Sequence, residues 1–295
     1  MLYFFYKKVV VLMKHCSLTL SLCLILTVCC YAQSHENLGE DPHLPAKVLH
    51  AEPLYIDLIR DLGARKGEKE WNVGAALVDR GQFDSYEFLV EYEWAVMDRW
   101  GLEIEVPVSL HSFGDRPRRG GNENGNTLPT KPSNRVESLK LATQYTFLVS
   151  ERRQMSLAVG AITELELTDL DAIQFNNALQ GVLFNPFFIA AKRLGPNWHS
   201  LIYTGPRLLS HFGHKGLDLS YEINTNFHYM IPGSRNFIGV EFNKLAGDGY
   251  FHTTIRPQMR LAIQDNLMIG IVPGISLNRE KERLSAFVRV IYEPH

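Results

Sequence analysis

Residues 85–110, SYEFLVEYEWAVMDRWGLEIEVPVSL, decide the fold. Apolar side chains occupy every second position on both sides of a short turn at 97–99, and Glu, Ser, Gly and Pro dominate the positions between them. A period of two is the period of a β-strand, so this stretch predicts two antiparallel strands with one apolar and one polar face each. Each strand has ten or more residues, as a tilted crossing of a bilayer requires.

The same alternation continues almost to the end of the chain and predicts about twelve strands. The sixth is the weakest, because NPFFIAAKR alternates poorly and contains Pro186. Short turns alternate with connections that are mostly longer, and the longest connection, 112–135, is rich in Gly, Asn, Pro and Arg. These features together predict an all-β fold, a transmembrane antiparallel up-and-down β-barrel. The predicted strands are 71–79, 85–96, 100–111, 136–149, 155–167, 182–193, 198–210, 217–231, 236–245, 250–264, 267–278 and 283–292.

The alternative is a soluble β-sandwich or a lipocalin-like barrel in the periplasm. A soluble sandwich would carry Lys and Thr on its polar faces, whereas these faces carry Glu, Gly, Ser, Asn and Gln. Aromatic residues gather near the ends of the apolar faces, as in the interface girdles of membrane barrels. The membrane barrel is therefore the favoured prediction. The aromatic residues are Trp71, Trp94, Trp100, Tyr229, Phe251 and Tyr292.

The N-terminus predicts export. A basic residue, the apolar stretch CSLTLSLCLILTVCC and a small residue at Ala32 describe a secretory signal peptide over residues 1–32, and Met13 is a plausible true start. A lipoprotein signal is disfavoured because the bulky Val28 precedes Cys29, and an uncleaved anchor helix is disfavoured because the stretch is short. Residues 33–70 then form a periplasmic segment and residues 71–295 the barrel. Since all four cysteines lie inside the signal, the exported chain needs a source of stability other than disulfides.

Charged side chains on the polar faces point into the predicted lumen. Pairing about the 97–99 turn places Glu93 opposite Glu103 and Glu91 opposite Glu105, where like charges repel unless they are solvated or neutralised. Two interpretations remain open: ion pairs fill the barrel, or acidic and basic walls face each other across water and select solutes. The candidate lumen residues are Glu87, Glu91, Glu93, Glu103, Glu105, Glu164, Glu166, Glu222, Lys140, Arg207, Arg256, Arg260 and Arg289.

Motifs for catalysis or for cofactors are not evident in the sequence. Ser210 and His211 lack the sequence context of the outer-membrane phospholipases, and His211 with His214 is a weak metal pattern without a partner carboxylate. The near-neutral net charge of −2 gives no reason to expect nucleic acid. We therefore expect no enzyme activity, no cofactor and no metal.

The segment before the first strand predicts a short amphipathic helix. Glu52 and Pro53 resemble a helix start, an apolar stripe follows, and Gly63 is placed to end the helix. A helix of about ten residues is marginal alone, so its stripe must dock at the periplasmic mouth, in the lumen or on a periplasmic partner, with mouth or lumen favoured. The residues of interest are His50, Glu52, Pro53, Leu54, Tyr55, Asp57, Leu58, Arg60 and Asp61.

Residues 50–57 spell HAEPLYID, and the chain resembles the HAEPLYID family, which is named for this segment. The resemblance runs from there to the C-terminus and implies little biochemistry. The favoured hypothesis is an outer-membrane channel for small polar or charged solutes, with outer-membrane lipid around it and the helix at its periplasmic mouth. The alternative is a filled scaffold barrel that binds a protein partner through the N-terminal segment or the 112–135 connection.

Overall fold

The computed structural model describes residues 45–56, 58–113, 131–168, 178–213, 216–279 and 282–294. The residues from Pro45 onward form one compact unit. Within the described ranges, none of the chain forms a helix able to cross a membrane. The strands are β1 (Lys69–Asp79), β2 (Asp84–Met97), β3 (Trp100–Ser112), β4 (Arg135–Val136), β5 (Ser138–Ser150), β6 (Met155–Leu167), β7 (Leu179–Arg193), β8 (Trp198–His211), β9 (Asp218–Met230), β10 (Phe237–Gly247), β11 (Tyr250–Gln264), β12 (Leu267–Ser276) and β13 (Leu284–Tyr292).

The sheet closes on itself. Successive strands pair antiparallel, and β1 pairs with β13, where Trp71 faces Tyr292. The short β4 and the long β5 both pair with β3 and are separated only by Glu137, so they are two parts of one barrel strand. The result is a closed twelve-stranded barrel, which confirms the fold predicted from the alternation.

The register of β2 and β3 follows from their tight turn. Glu91 pairs with Glu105 and Glu93 with Glu103, as the sequence predicted. Glu91 and Glu93 of β2 are each 1% exposed, whereas Val90, the neighbour of Glu91, is 49% exposed. The polar faces thus point into the barrel, and the apolar faces form its outer surface.

Aromatic side chains ring the outer surface at the end of the barrel that carries the short turns. Trp71, Tyr92 and Trp94 stack along β1 and β2, with ring centroids 4.6 and 5.4 Å apart. Trp198 packs 4.9 Å from Tyr229 further around the ring. Such a girdle marks a membrane–water interface. Since short turns face the periplasm in barrels of this class, we take this end as periplasmic.

The predicted helix before β1 is not found. Residues 45–56 and 58–68 form bends and turns, while Asp57 lies outside the described residues. The physical reason lies in the barrel wall: the N–H groups of Ile56 and Arg60, which a helix would bond internally, donate instead to Glu241 and Glu93. The signal peptide expected at 1–32 and the start of the periplasmic segment also lie outside the described residues.

Candidate functional site in the barrel lumen

Residues 45–56 and 58–64, hereafter the luminal segment, lie inside the barrel and contact opposite walls. Leu58, Ile59 and Leu62 pack in one apolar cluster with residues of β5 to β8, including Phe187. Ala51 and Leu54 pack in a second cluster with Phe237, Met268, Val272, Phe287 and Ile291. All five side chains of the segment are at most 2% exposed. The apolar residues that the sequence grouped in one stripe are buried, but they divide between two opposite walls.

Side chains of the barrel wall accept hydrogen bonds from backbone N–H groups of the luminal segment. The N–H of Ala51 donates to His199 Nδ1 at 2.6 Å, and that of Leu54 to Gln258 Oε1 at 2.8 Å. The N–H of Ile56 donates to Glu241 Oε1 at 3.1 Å. A buried amide without a partner costs on the order of 1–3 kcal/mol, so these bonds fix where the segment can sit.

Arg60 is the most connected residue of the luminal segment. Its N–H donates to Glu93 Oε2 at 2.8 Å, and its carbonyl accepts from Gln144 Nε2 at 2.8 Å. Its guanidinium bonds Glu70 at 2.9 Å and lies 3.9 Å from Glu93. Asn72 Nδ2 contacts the carboxylates of Glu70, Glu91 and Glu93 at 2.8–3.0 Å. The predicted repulsion between the acidic strands is thus relieved partly by the luminal segment.

Two further residues of the HAEPLYID stretch, His50 and Glu52, are buried where their charged forms are disfavoured. His50 Nε2 lies 3.0 Å from Ser156 Oγ, and its ring stands edge-on to His199 at 6.3 Å. Burial, and then the neighbouring His199, lowers the pKa of His50 to about 3. Burial, and then the negative charge of Asp61, raises the pKa of Glu52 to about 8. Both residues are therefore held neutral at neutral pH while the segment is docked.

A partly open cavity of about 330 Å³ lies beside the luminal segment, which contributes Tyr55, Ile56 and Ile59 to its wall. Nine of the thirteen predicted lumen residues line it, and the other four lie elsewhere on the lumen face. Its charged lining residues are Glu87, Glu91, Glu103, Glu105, Glu164, Glu222, Lys140, Arg207 and Arg289.

The three arginines of β11 and β13 on the lumen face divide into two groups. Arg289 lies 3.7 Å from Glu91. Arg256 instead bonds Ser285 and stacks over the Tyr55 ring at 3.4 Å, and Arg260 lies over the Phe237 ring at 4.8 Å. Both of these arginines pack near the luminal segment, away from the glutamates of β2 and β3.

The remaining predicted lumen residues pair locally. Lys140 bonds Glu105 at 2.7 Å, and Arg207 lies 3.7 Å from Glu222. His211, once a weak metal candidate, lies 3.3 Å from Glu166, while His214 lies outside the described residues.

Sequence reasoning missed the wall residues that receive the luminal segment. A Cβ on Gly101 would meet the Ile59 carbonyl and, at 3.0 Å, Arg60 Cβ; one on Gly270 would meet Leu54 Cδ2 at 2.9 Å. Glycine at both positions allows the close approach. The usable signal was a strand-interior Gly paired with an inward-facing amide, as Gly101 pairs with Gln144, which donates to the Arg60 carbonyl.

Solved structures share this fold. The KdgM porin in complex with disordered oligogalacturonate is 13% identical with a TM-score of 0.51, covering 77% of this chain and 99% of the porin. An outer membrane channel of Pseudomonas putida F1 is 15% identical with a TM-score of 0.55, covering 79% and 98%. The NanC porin is 9% identical with a TM-score of 0.53, covering 76% and 100%. Among curated proteins, none matches.

The barrel therefore has the fold of outer-membrane porins. The HAEPLYID-like family matches residues 46–293, from the luminal segment to the last strand, and the chain belongs to this family.

Proposed function

We propose that this protein is an outer-membrane channel for small polar or charged solutes, with the luminal segment as its periplasmic constriction. The observation that carries the proposal is a charged cavity inside the barrel, walled on one side by the non-covalently held luminal segment. The porin fold of proteins such as KdgM, which was solved with oligogalacturonate, supports solute passage. The outward-facing apolar residues and their aromatic girdle support an outer-membrane location.

The contacts of the luminal segment suit a movable constriction. It is held by hydrogen bonds and apolar packing, and the four cysteines of the chain all precede residue 31. Displacing the segment would expose Gln258, Glu241 and Glu93, which are polar and can be solvated by lumen water. A displaced state therefore costs less than unfolding any barrel strand, whose backbone bonds have no substitute within a bilayer.

Planar-bilayer recording tests the proposal with two opposite variants. Deleting residues 33–62 removes the constriction and should raise the conductance above that of the wild type. Leu54→Cys with Gly270→Cys should lock the segment, because a Cβ on Gly270 would lie 3.3 Å from Leu54 Cγ, close to where a cysteine sulfur would sit. The oxidised pair should conduct less than the wild type, and a reductant should restore wild-type conductance.

The single variant Leu54→Cys, treated with the same oxidant, is the matched control. A difference in gel mobility between unheated and heated samples would show whether each variant folds. If none of the folded forms conducts, the channel proposal is wrong. Equal conductance of the wild type and of the deletion variant would show that the luminal segment is no constriction.

The second candidate is a filled scaffold barrel. The two apolar clusters between the luminal segment and the walls favour it, because they give the segment a core-like interface. Its protein partner would bind the N-terminal segment or the 112–135 connection, of which residues 114–130 lie outside the described chain. This candidate predicts that the folded deletion variant does not conduct in the planar bilayer.

A further inference from the structure

The cavity beside the luminal segment has more acidic than basic side chains. Six carboxylates and three cationic groups line it. Each of the three cations already lies near a carboxylate: Lys140 is 2.7 Å from Glu105, while Arg207 and Arg289 lie 3.7 Å from Glu222 and Glu91. Outside the lining, Arg80 reaches Glu87 at 2.8 Å. Two lining carboxylates, Glu103 and Glu164, are left over.

Glu103 is the carboxylate without a partner. Glu164 accepts a hydrogen bond from Ser138 Oγ at 2.7 Å. Glu103 is only 6% exposed, and within the described residues it accepts no hydrogen bond and forms no ion pair. The cation that interacts with it electrostatically, Lys140, has its ammonium on Glu105. A sequestered carboxylate on a cavity wall, without a donor of its own, is a receptor for a cation from outside the chain.

Carboxylate oxygens of Glu91, Glu93 and Glu103 lie within 4.8 Å of one another and could hold a metal ion, but the rest of the cavity wall is largely apolar. Aromatic and aliphatic side chains surround the carboxylates, and Phe187 stacks on Tyr203 at 4.7 Å. Aromatic faces attract organic cations, and apolar walls bind the carbon body of a ligand rather than a hydrated ion. A volume of about 330 Å³ suits a small organic molecule. The further apolar residues of the lining include Tyr55, Ile59, Leu89, Ile162, Leu183 and Phe287.

We propose that this cavity binds a small organic cation, an amine with an apolar or aromatic body, with its ammonium on Glu103 and its body against the aromatic wall. The inference rests on the proposed channel function and deepens it by naming the class of solute. Binding is a property of the cavity alone, so it can be measured apart from conduction.

Isothermal titration of the full exported chain in detergent tests the inference with three probes of one shape: benzylamine, benzyl alcohol and benzoate. Benzylamine should bind at least about ten-fold more tightly than the neutral and anionic probes, because only its ammonium pairs with Glu103. Glu103→Gln should weaken benzylamine binding by about ten-fold or more. Glu166→Gln is the matched control: it removes a lumen carboxylate that does not line the cavity and should leave the affinity unchanged.

Four outcomes would overturn the inference: no binding of benzylamine, equal affinity for benzyl alcohol, tighter binding of benzoate, or wild-type affinity in a folded Glu103→Gln variant. Calcium chloride is titrated alone as well. Calcium binding that depends on Glu103, without benzylamine binding, would identify a divalent cation site instead. If the barrel binds benzylamine but does not conduct, only the proposed channel function is wrong. If it conducts but does not bind benzylamine, only the inference about the cavity is wrong.

Discussion

At the scale of single residues, the signature of the family is a set of contacts with the barrel wall. His50 reaches Ser156, the amide of Ala51 reaches His199, and Leu54 packs over Gly270. Each contact joins residues at least a hundred positions apart in the chain. We therefore interpret the HAEPLYID stretch as an interface between the luminal segment and the barrel rather than as a catalytic motif.

Arg60→Ala tests how strongly one residue holds the luminal segment. The change leaves the buried carboxylates of Glu70 and Glu93 without their guanidinium, so we expect docking to weaken by about 3 kcal/mol. An equilibrium shift of that size opens the segment on the order of 100-fold more often. Chymotryptic cleavage after Tyr55, identified by mass spectrometry, reports the open fraction.

The exposed Lys66→Ala is the control for the loss of a charge and should leave the cleavage rate within about two-fold of the wild type. The backbone of Arg60 has a φ of 68°, in the left-handed region. Arg60→Gly should therefore weaken docking by about 1 kcal/mol less than Arg60→Ala. Identical cleavage of Arg60→Ala and wild-type protein would contradict the assigned role.

His50 makes docking of the luminal segment dependent on pH. Because burial lowers its pKa to about 3 in the docked state, against about 6.5 when exposed to water, the docked state excludes the proton. The stability from His50 is complete above pH 6.5 and is lost as pH falls from 6.5 towards 3, by up to about ten-fold in the docking equilibrium for each pH unit. Glu52 acts oppositely, because its pKa of about 8 favours docking as pH falls from 8 towards 4.5.

A comparison of His50→Gln with the wild type isolates the histidine, since the contribution of Glu52 and the pH dependence of the protease cancel in the ratio. The ratio of wild-type to variant cleavage after Tyr55 should rise steadily as pH falls below 6.5. A ratio that stays flat between pH 6.5 and 4.5 would mean that the His50 ring is solvated in the docked state.

At the scale of elements, the luminal segment explains where sequence patterns succeeded and failed. Strand β7 alternates poorly because its inward face is also apolar: Phe187, Ile189 and Ala191 pack on the luminal segment. The segment looked helical because its apolar residues have helical spacing, but in the structure they contact two opposite walls. Its hydrogen-bond partners come from distant strands, and local sequence carries no record of such pairings.

Gly101→Ala tests whether the close approach of segment and wall at β3 is required. The added methyl group would collide with the Ile59 carbonyl and with Arg60, so the segment should shift or detach, at a cost of about 1–3 kcal/mol. Cleavage after Tyr55 should rise, whereas the barrel should keep its gel mobility. Ser109→Ala, on the lumen face of the same strand, is the control. In a chain that lacks residues 33–62 the glycine substitution should have no effect on barrel stability, and any effect there would place its cause in β3 itself.

At the scale of the whole molecule, the strands and their order were predictable because one physical demand repeats along the chain. Each of the twelve barrel strands must present apolar side chains outward, and short turns fix the register locally, as for Glu91 and Glu105. The candidate site was predictable only as a set of inward-facing charges. Which charges meet, as Arg289 meets Glu91 across the β1–β13 closure, depends on barrel geometry that alternation does not encode.

Val90→Arg tests whether the outer apolar surface faces lipid. Val90 lies near the middle of β2, points outward and is 49% exposed. At the midplane of a bilayer an arginine on the lipid face costs about 2–4 kcal/mol, whereas on a water-exposed strand the change would stay within about 0.5 kcal/mol. Reversible urea unfolding in lipid vesicles measures the difference, and Glu151→Arg, in the exposed turn after β5, should leave stability unchanged. If Val90→Arg is as stable as the wild type and the protein dissolves without detergent, the apolar surface meets water and the barrel does not span a membrane.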